Sequence, residues 1–437
     1  MGVALSYRIA SGGPILDQGW WLLALITIWW VVFAAGAACI LRWPGRFGMA
    51  LVVVVAVALR IAALAGAPVL SDDVYRYAWD GRVQAAGVNP YRYPPDAAEL
   101  AGLREPWLWP DEEGCAELDR PAGCSRINRI GEPTIYPPVG QLWFWAGHSI
   151  HLSDLRDRGW QGLAMAVDLS LIAVLALALR SWGREPTAVV LYAWSPIAVL
   201  ESAQGAHVDA LAVIAVVGAL WAVRRERSVL AAVLLAMATL IKLYPVVLLP
   251  VLLRRHPQRT SLAFLAAVAL AYAPHVASLG LDVLGYLPGY LAEEGYSEGN
   301  RFLLVGLTGA SGLVAQVVVG VGLVVAAWRA WASDDPPEVP AAMLLGVALL
   351  LATPVQPWYA LLLVAIATLG RAWWWLPVAA GGYPVYFAAI LDGPEALAGR
   401  LGYGLAALMV VLGLWLHRRD EGKLPVQSGM AERARLR

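Results

Sequence analysis

The residues best suited to chemistry lie in SDDVYRYAWDGRVQAAGVNPY, residues 71–91. Ser71 is a good N-cap, the run to Ala86 has helical composition, and Gly87 suits a stop. At helical spacing Asp73, Arg76, Tyr77 and Asp80 share one face. Two carboxylates, a guanidinium and a phenol so placed could take up a proton and hold an anion. A carboxylate beside lipid tails is partly desolvated, which raises its pKa and makes it a stronger base. There is also an ordinary structural reading. Asp72 and Asp73 in a first helical turn complement the helix dipole, worth about 0.3–1 kcal/mol each, and Arg76 and Asp80 could be a simple ion pair.

Other polar residues interrupt apolar surroundings. GEPTIYPPVGQLWF, residues 131–144, places a Tyr136-Pro137-Pro138 turn before a helix. WSPIAVLESAQGAHVDAL, residues 194–211, carries Glu201, His207 and Asp209. Lys242 breaks an apolar run in IKLYP, and Gln356, Trp358 and Tyr359 do the same in TPVQPWY. Ionisable groups at membrane depth are costly and point to function by default. Glu201 could instead pair with Lys242 structurally, and His207 could cap a helix. Asp168, inside a long apolar run, could pair with an arginine in the bundle. Several such interruptions at one face favour a shared cavity over separate accidents.

The elements that must position these groups follow from composition. Of 437 residues, 59% are apolar and only 15% charged, against roughly 25% charged in soluble domains. A membrane helix needs about 20 mostly apolar residues. The long apolar runs therefore predict an all-α, multi-pass integral membrane protein with about 11–13 transmembrane helices. Predicted spans lie near 20–41, 47–66, 161–180, 187–200, 207–223, 229–241, 244–254, 260–278, 303–331, 340–353, 358–370, 373–390 and 400–417. The formal net charge of +0 excludes a basic nucleic-acid footprint.

Arginines cluster between alternate spans: Arg42 with Arg46, Arg180 with Arg184, Arg224 with Arg225 and Arg227, and Arg254 with Arg255 and Arg259. Arg371 and the tail Arg418, Arg419 and Lys423 continue the alternation. The positive-inside rule puts these in the cytoplasm. Parity then requires that 136–152 lie at the outer interface as a juxtamembrane helix and not span. The expected organisation is N-terminal transmembrane helices over 1–66, a large exterior loop over 67–160, a helix bundle over 161–417 and a cytoplasmic tail over 418–437. Cys115 and Cys124 lie close together in the loop, where an oxidising compartment would allow a disulfide; two reduced thiols are the alternative.

In order along the chain come an acidic helix with Asp-Val-Tyr-x-Tyr, Gly-x-Asn-Pro-Tyr, Tyr-Pro-Pro, a Pro-x-x-x-x-Glu turn followed by His-x-Asp, Lys-x-Tyr-Pro and Pro-Trp-Tyr. Over roughly residues 50–375 this resembles the multi-pass GT-C glycosyltransferases that use polyprenyl-phosphate sugars. It is most similar to the bacterial α-mannosyltransferases of the mycobacterial mannan type, and more distantly to the catalytic subunit of the first GPI mannosyltransferase. The resemblance implies a GT-C-like bundle in a prokaryotic plasma membrane, a polyprenyl-phosphate mannose donor, a glycan or glycolipid acceptor, and an exterior-loop aspartate as base. That aspartate falls on Asp73, with Asp72 as second choice. Arg76, Lys242, His207 and Arg301 could supply positive charge for the donor phosphate, beside Tyr77, Asp80, Tyr136, Asp209, Gln356, Trp358 and Tyr359. Relatives often carry His where this chain has Gln356, which cannot titrate. A divalent cation, Mg²⁺ or Mn²⁺, could assist, but no ligand spacing here is diagnostic of one. A secondary transporter or lipid flippase is the rival reading, weakened by the absence of a convincing internal repeat.

Overall fold

Apolar runs bounded by glycine, proline and arginine become the longest helices. In the computed structural model residues 1–421 are described, and no strand occurs among them. Lys423 and the remainder of the expected tail lie outside the described residues. The principal helices, in chain order, begin with α1 (Gly2–Ala10), α2 (Trp20–Arg42), α3 (Arg46–Ala63), α4 (Asp73–Ala85) and α5 (Pro138–Ser149). Next come α6 (Asp157–Ser181), α7 (Asp209–Arg224), α8 (Ser228–Ile241), α9 (Pro257–Leu279) and α10 (Leu287–Glu293). The last are α11 (Gly312–Ala332), α12 (Glu338–Ala352), α13 (Leu361–Gly370), α14 (Tyr383–Ile390) and α15 (Glu395–Glu421).

Among the described residues six helical runs are long and apolar enough to cross a membrane: α2, α3, α6, Pro257–Glu293, α11 and Glu395–Arg419. A seventh arises if the turn Ala198–Gln204 and α7, bent by 118° at their junction, count as one broken span. The protein is thus an all-helical, multi-pass membrane protein. Several predicted spans are shorter or broken, and proline is the reason. The 373–390 run divides into a 3-10 turn, a short helix carrying Pro377 and α14 with Pro384. Each proline removes a backbone donor and clashes with the preceding turn. The run predicted from 303 begins with a 3-10 turn over Val305–Thr308 and becomes α-helical at Gly312. Burial accounts for the composition of the short pieces. In α13 the residues Leu361–Leu369 are all buried, so their all-round hydrophobicity reflects protein contact on every side. The window in Pro257–Glu293 is only 6% buried and faces outward.

Residues 64–156 form one long excursion between α3 and α6, holding α4, α5 and the bonded pair Cys115–Cys124. The twelve-residue α5 is only about 18 Å long at 1.5 Å per residue, too short to cross. It crosses α4 where a Cβ on Gly81 would meet the Phe144 carbonyl oxygen, so glycine permits the close approach. On its other side Gly140 lies against the Ile241 carbonyl at the end of α8. The excursion is thereby fastened to the bundle. Within the bundle Asp168 of α6 meets Arg60 of α3 at 2.6 Å and accepts the Tyr192 hydroxyl at 2.6 Å, which realises the expected pairing with an arginine. At one end of the bundle Arg184 and Arg224 both reach Glu338 at 2.7 Å, and Arg254 pairs with Asp334 and Arg255 with Glu226.

Candidate active site

Asp73 opens α4 and is held by two donors from the excursion. Asn128 Nδ2 donates to Oδ1 at 2.8 Å, and the Tyr136 hydroxyl donates to Oδ2 at 3.0 Å. Tyr136 also lies 3.3 Å from the Tyr77 hydroxyl, while the Tyr77 ring stacks on Phe144 of α5 at 4.4 Å. Burial, with Asp73 beside them, pushes both phenols well above their usual range, so they remain donors. For Asp73 itself burial raises the carboxyl, but His207, Lys242 and the two hydrogen bonds outweigh it and hold it below the usual carboxylate range. This corrects the expectation of a raised carboxylate on that residue. The raised one is Asp72, where burial exceeds the opposing pull of Arg120, 3.2 Å away.

Arg76 and Asp80, on the same helix, take the ion-pair arrangement at 2.9 Å. Arg76 also donates to the Glu132 carbonyl at 3.0 Å, and Gln141 of α5 donates to Asp80 at 2.8 Å. Their charges are consumed in fixing the 129–134 segment and α5 onto α4. The shared helical face is therefore split: Asp73 and Tyr77 meet the bundle, whereas Arg76 and Asp80 bind the excursion.

The bundle contributes the broken segment between residues 198 and 209. Ala198–Gln204 is a π-helical turn, a form that recurs at functional sites. Ala206 then adopts a left-handed φ of 54°, a strained conformation for a residue with a Cβ. This break brings Glu201, His207 and Asp209 to the end of α4. His207 Nδ1 is 3.6 Å from Asp73 Oδ2, and Nε2 is 3.6 Å from Glu201 Oε2. Glu201 does not pair with Lys242; it accepts the Tyr383 hydroxyl at 2.8 Å. Lys242 pairs instead with Asp209 at 3.2 Å. Its ammonium sits over three rings, Tyr136 at 5.4 Å and Trp358 and Tyr359 each at 5.7 Å. Trp358 in turn stacks on His207 at 4.2 Å.

Arg301 and Gln356 belong to an adjoining cluster around Glu294. Gln356 donates to Glu294 Oε1 at 2.6 Å, Arg301 donates to the Glu294 carbonyl at 2.7 Å, and Arg301 lies 3.5 Å from Glu395. Tyr359, whose hydroxyl is 3.1 Å from that of Tyr290, joins the two clusters. Asn128, Tyr383 and Glu294 were missed from the sequence. Only Asn128 left a trace, as one of three asparagines in the chain. Among the described residues no group of three or more His, Cys, Asp or Glu is placed to hold a metal ion. A narrow slot lined by Trp143 of α5, by Trp160, Leu163, Ala164 and Val167 of α6, and by Tyr77 and His207 adjoins the site.

The polar cluster at the break is flanked by the segment 135–144 before it and the segment 353–359 after it. The model of glycosyltransferase family 87 matches residues 135–354, half of the chain, from just before Tyr136 to the turn ahead of Gln356. The chain belongs to glycosyltransferase family 87. No curated protein matches it. As a member of family 87 it is a membrane glycosyltransferase, with a sugar donor and a glycan or lipid acceptor. Glu201, His207, Asp209, Lys242 and Arg301 fall within the region matched to family 87, whereas Asp73 precedes it.

Proposed function

We propose that this glycosyltransferase moves mannose from a polyprenyl-phosphate donor to a hydroxyl of a glycan or glycolipid on the outer face of a prokaryotic plasma membrane, with inversion. The supporting observation is the Asp73 carboxyl, held by Asn128 and Tyr136 at the edge of the bundle beside a lysine in an aromatic surround. In this reading Asp73 takes the proton of the acceptor hydroxyl. The freed oxygen pair attacks the anomeric carbon, and the carbon–oxygen pair opposite leaves with the lipid phosphate. That leaving group is already a stable anion, so it calls for positive charge in place of a general acid. Lys242 is the cation best placed to supply it, because its ammonium sits over the rings of Tyr136, Trp358 and Tyr359 beside Asp73, where it would exchange Asp209 for the phosphate. A ring surround of Trp358, Tyr359 and Tyr136 suits a sugar. Residues 67–160 act as the exterior loop that carries the base.

The test is transfer of labelled mannose from synthetic polyprenyl-phosphate mannose by the purified full chain, beside Asp73→Asn. Transfer that falls by at least about a hundredfold in the variant, with unchanged folding, supports donor and base together. Transfer that survives the substitution removes Asp73 as the base and keeps the donor. No transfer from any polyprenyl-phosphate sugar sinks the donor assignment.

A further inference from the structure

We propose that Gln204 and Gln161 are positioning residues, a pair of amides that clamps the segment ahead of Asp73 to the bundle and so sets the distance from the base to His207 and Lys242. The inference rests on the reading of Asp73 as base and adds what fixes its place. Residues 66–70 run from α3 toward α4 outside any helix, and Val69 and Leu70 are buried. Buried backbone groups must find partners, and side chains of the bundle supply them. Gln204 Nε2 donates to the Ala67 carbonyl at 2.6 Å, and its Oε1 accepts the Val69 N–H at 2.9 Å. Pro68, between them, has no N–H to place. Gln161 of α6 donates from Nε2 to the Gly66 carbonyl at 3.1 Å and to the Gln204 carbonyl at 2.7 Å. Both glutamines are fully buried.

Gln204 also closes the π turn, and His207 follows it across the left-handed Ala206. On the other side of the clamp Asp73 follows Val69 through Leu70, Ser71 and Asp72. One side chain therefore joins two short stretches of chain whose far ends meet at the Asp73–His207 contact of 3.6 Å. Asn128 and Tyr136 hold Asp73 from the excursion side; Gln204 and Gln161 hold its approach from the bundle side. Two further bonds restrain the same segment, from the Ile15 N–H to the Val69 carbonyl at 2.9 Å and from the Tyr386 hydroxyl of α14 to the Leu70 carbonyl.

The groups within electrostatic reach of Asp73 come from every element around it. They are Asp72 and Tyr77 on its own helix, Arg129 and Tyr136 from the excursion, Glu201 and His207 from the broken segment, Lys242 after α8 and Tyr386 of α14. Burial raises the Asp73 carboxyl, and His207 and Lys242, both on the bundle side, do most to hold it down. A start of α4 that drifts from the bundle loses those two first.

The experiment is steady-state transfer by the full chain from synthetic polyprenyl-phosphate mannose, with a membrane lipid extract as acceptor pool, over a range of pH. Gln204→Met keeps an unbranched side chain of comparable length and removes both amide bonds. It is expected to lower kcat about ten- to a hundredfold, because a small misplacement of a reacting group is costly. The donor KM is expected to change less than about twofold, since Lys242, Trp358 and Tyr359 lie on other elements, and the acid limb of kcat/KM is expected to move to higher pH. Gln161→Met leaves both side-chain bonds of Gln204 in place and is expected to move the same quantities in the same direction by a smaller factor. It decides the matter if Gln204→Met does not assemble. Wild-type kcat in both variants, a fall in kcat matched by a rise in donor KM, or a fall with the acid limb unmoved would overturn the clamp while leaving Asp73 as base. Absence of transfer by the unaltered protein overturns the base reading itself, and the clamp with it.

Discussion

At the residue scale, Asp73 and Asp72 are neighbours in sequence with opposite electrostatics. Burial raises both, but Asp73 is surrounded by His207, Lys242, Tyr136 and Asn128, and its carboxyl ends below the usual range. Asp73 is therefore ionised at neutral pH, as the proposed base must be. Its folded value lies below its unfolded value, so it contributes stability above the unfolded carboxylate range, which is lost as pH falls through the folded value. As base it should give kcat/KM an acid limb below the usual carboxylate range. The Asn128 hydrogen bond is stronger to the ionised form, so Asn128→Ala should move that limb to higher pH and lower kcat/KM. A pH–rate profile in which the limb stays put, or moves down, would show that Asn128 does not tune the base.

At the scale of elements, two devices bring Asp73 to the bundle. One is the crossing of α4 and α5 at Gly81; the other is the broken segment before α7. Any side chain at position 81 must displace the Phe144 backbone, an overpacking that costs typically about 1–3 kcal/mol. Gly81→Ala should lower the thermal midpoint of the purified protein and reduce transfer, because Tyr77 and Tyr136 are positioned through Phe144. An unchanged midpoint would mean that α4 and α5 are free to move apart. Arg76 and Asp80 serve the same fastening, since their buried pair is satisfied by Gln141 and the Glu132 carbonyl. A buried pair of this kind is costly to break from one side only.

At the scale of the whole molecule, the arginine-rich ends and the site segregate along the helices. Arg227 precedes α8 and Lys242 follows it, so the Arg184–Glu338–Arg224 cluster and the Asp73 cluster lie at opposite ends. In the proposed topology the arginine-rich turns are cytoplasmic, and the excursion and its site face outward. In a Cys39→Ser background, Glu99→Cys should react with a membrane-impermeant maleimide in intact cells, and Arg227→Cys should react only after the membrane is opened. Both positions are exposed, so the reverse labelling would invert the topology and move the reaction to the cytoplasmic face.

The sequence alone determined what depends on local composition and order. Apolar runs too long for a soluble core required a multi-pass helical protein, and the prolines and polar interruptions marked residues that gather in the candidate site. Asp73, Tyr136, His207, Asp209, Lys242 and Trp358 were all legible, because ionisable or aromatic groups in apolar surroundings stand out by residue type. Pairing is not a local property, and only the tertiary structure decided it. The face shared by Asp73, Arg76, Tyr77 and Asp80 was readable from helical spacing, but its division between bundle and excursion depended on which partners arrived from residues 128–141. Glu201 was expected beside Lys242 and instead faces His207, because a π turn and a left-handed Ala206 rotate the chain in a way that no periodicity announces. The short apolar runs were read as spans because hydrophobicity reports exclusion from water, and burial within protein and burial in lipid exclude water equally well.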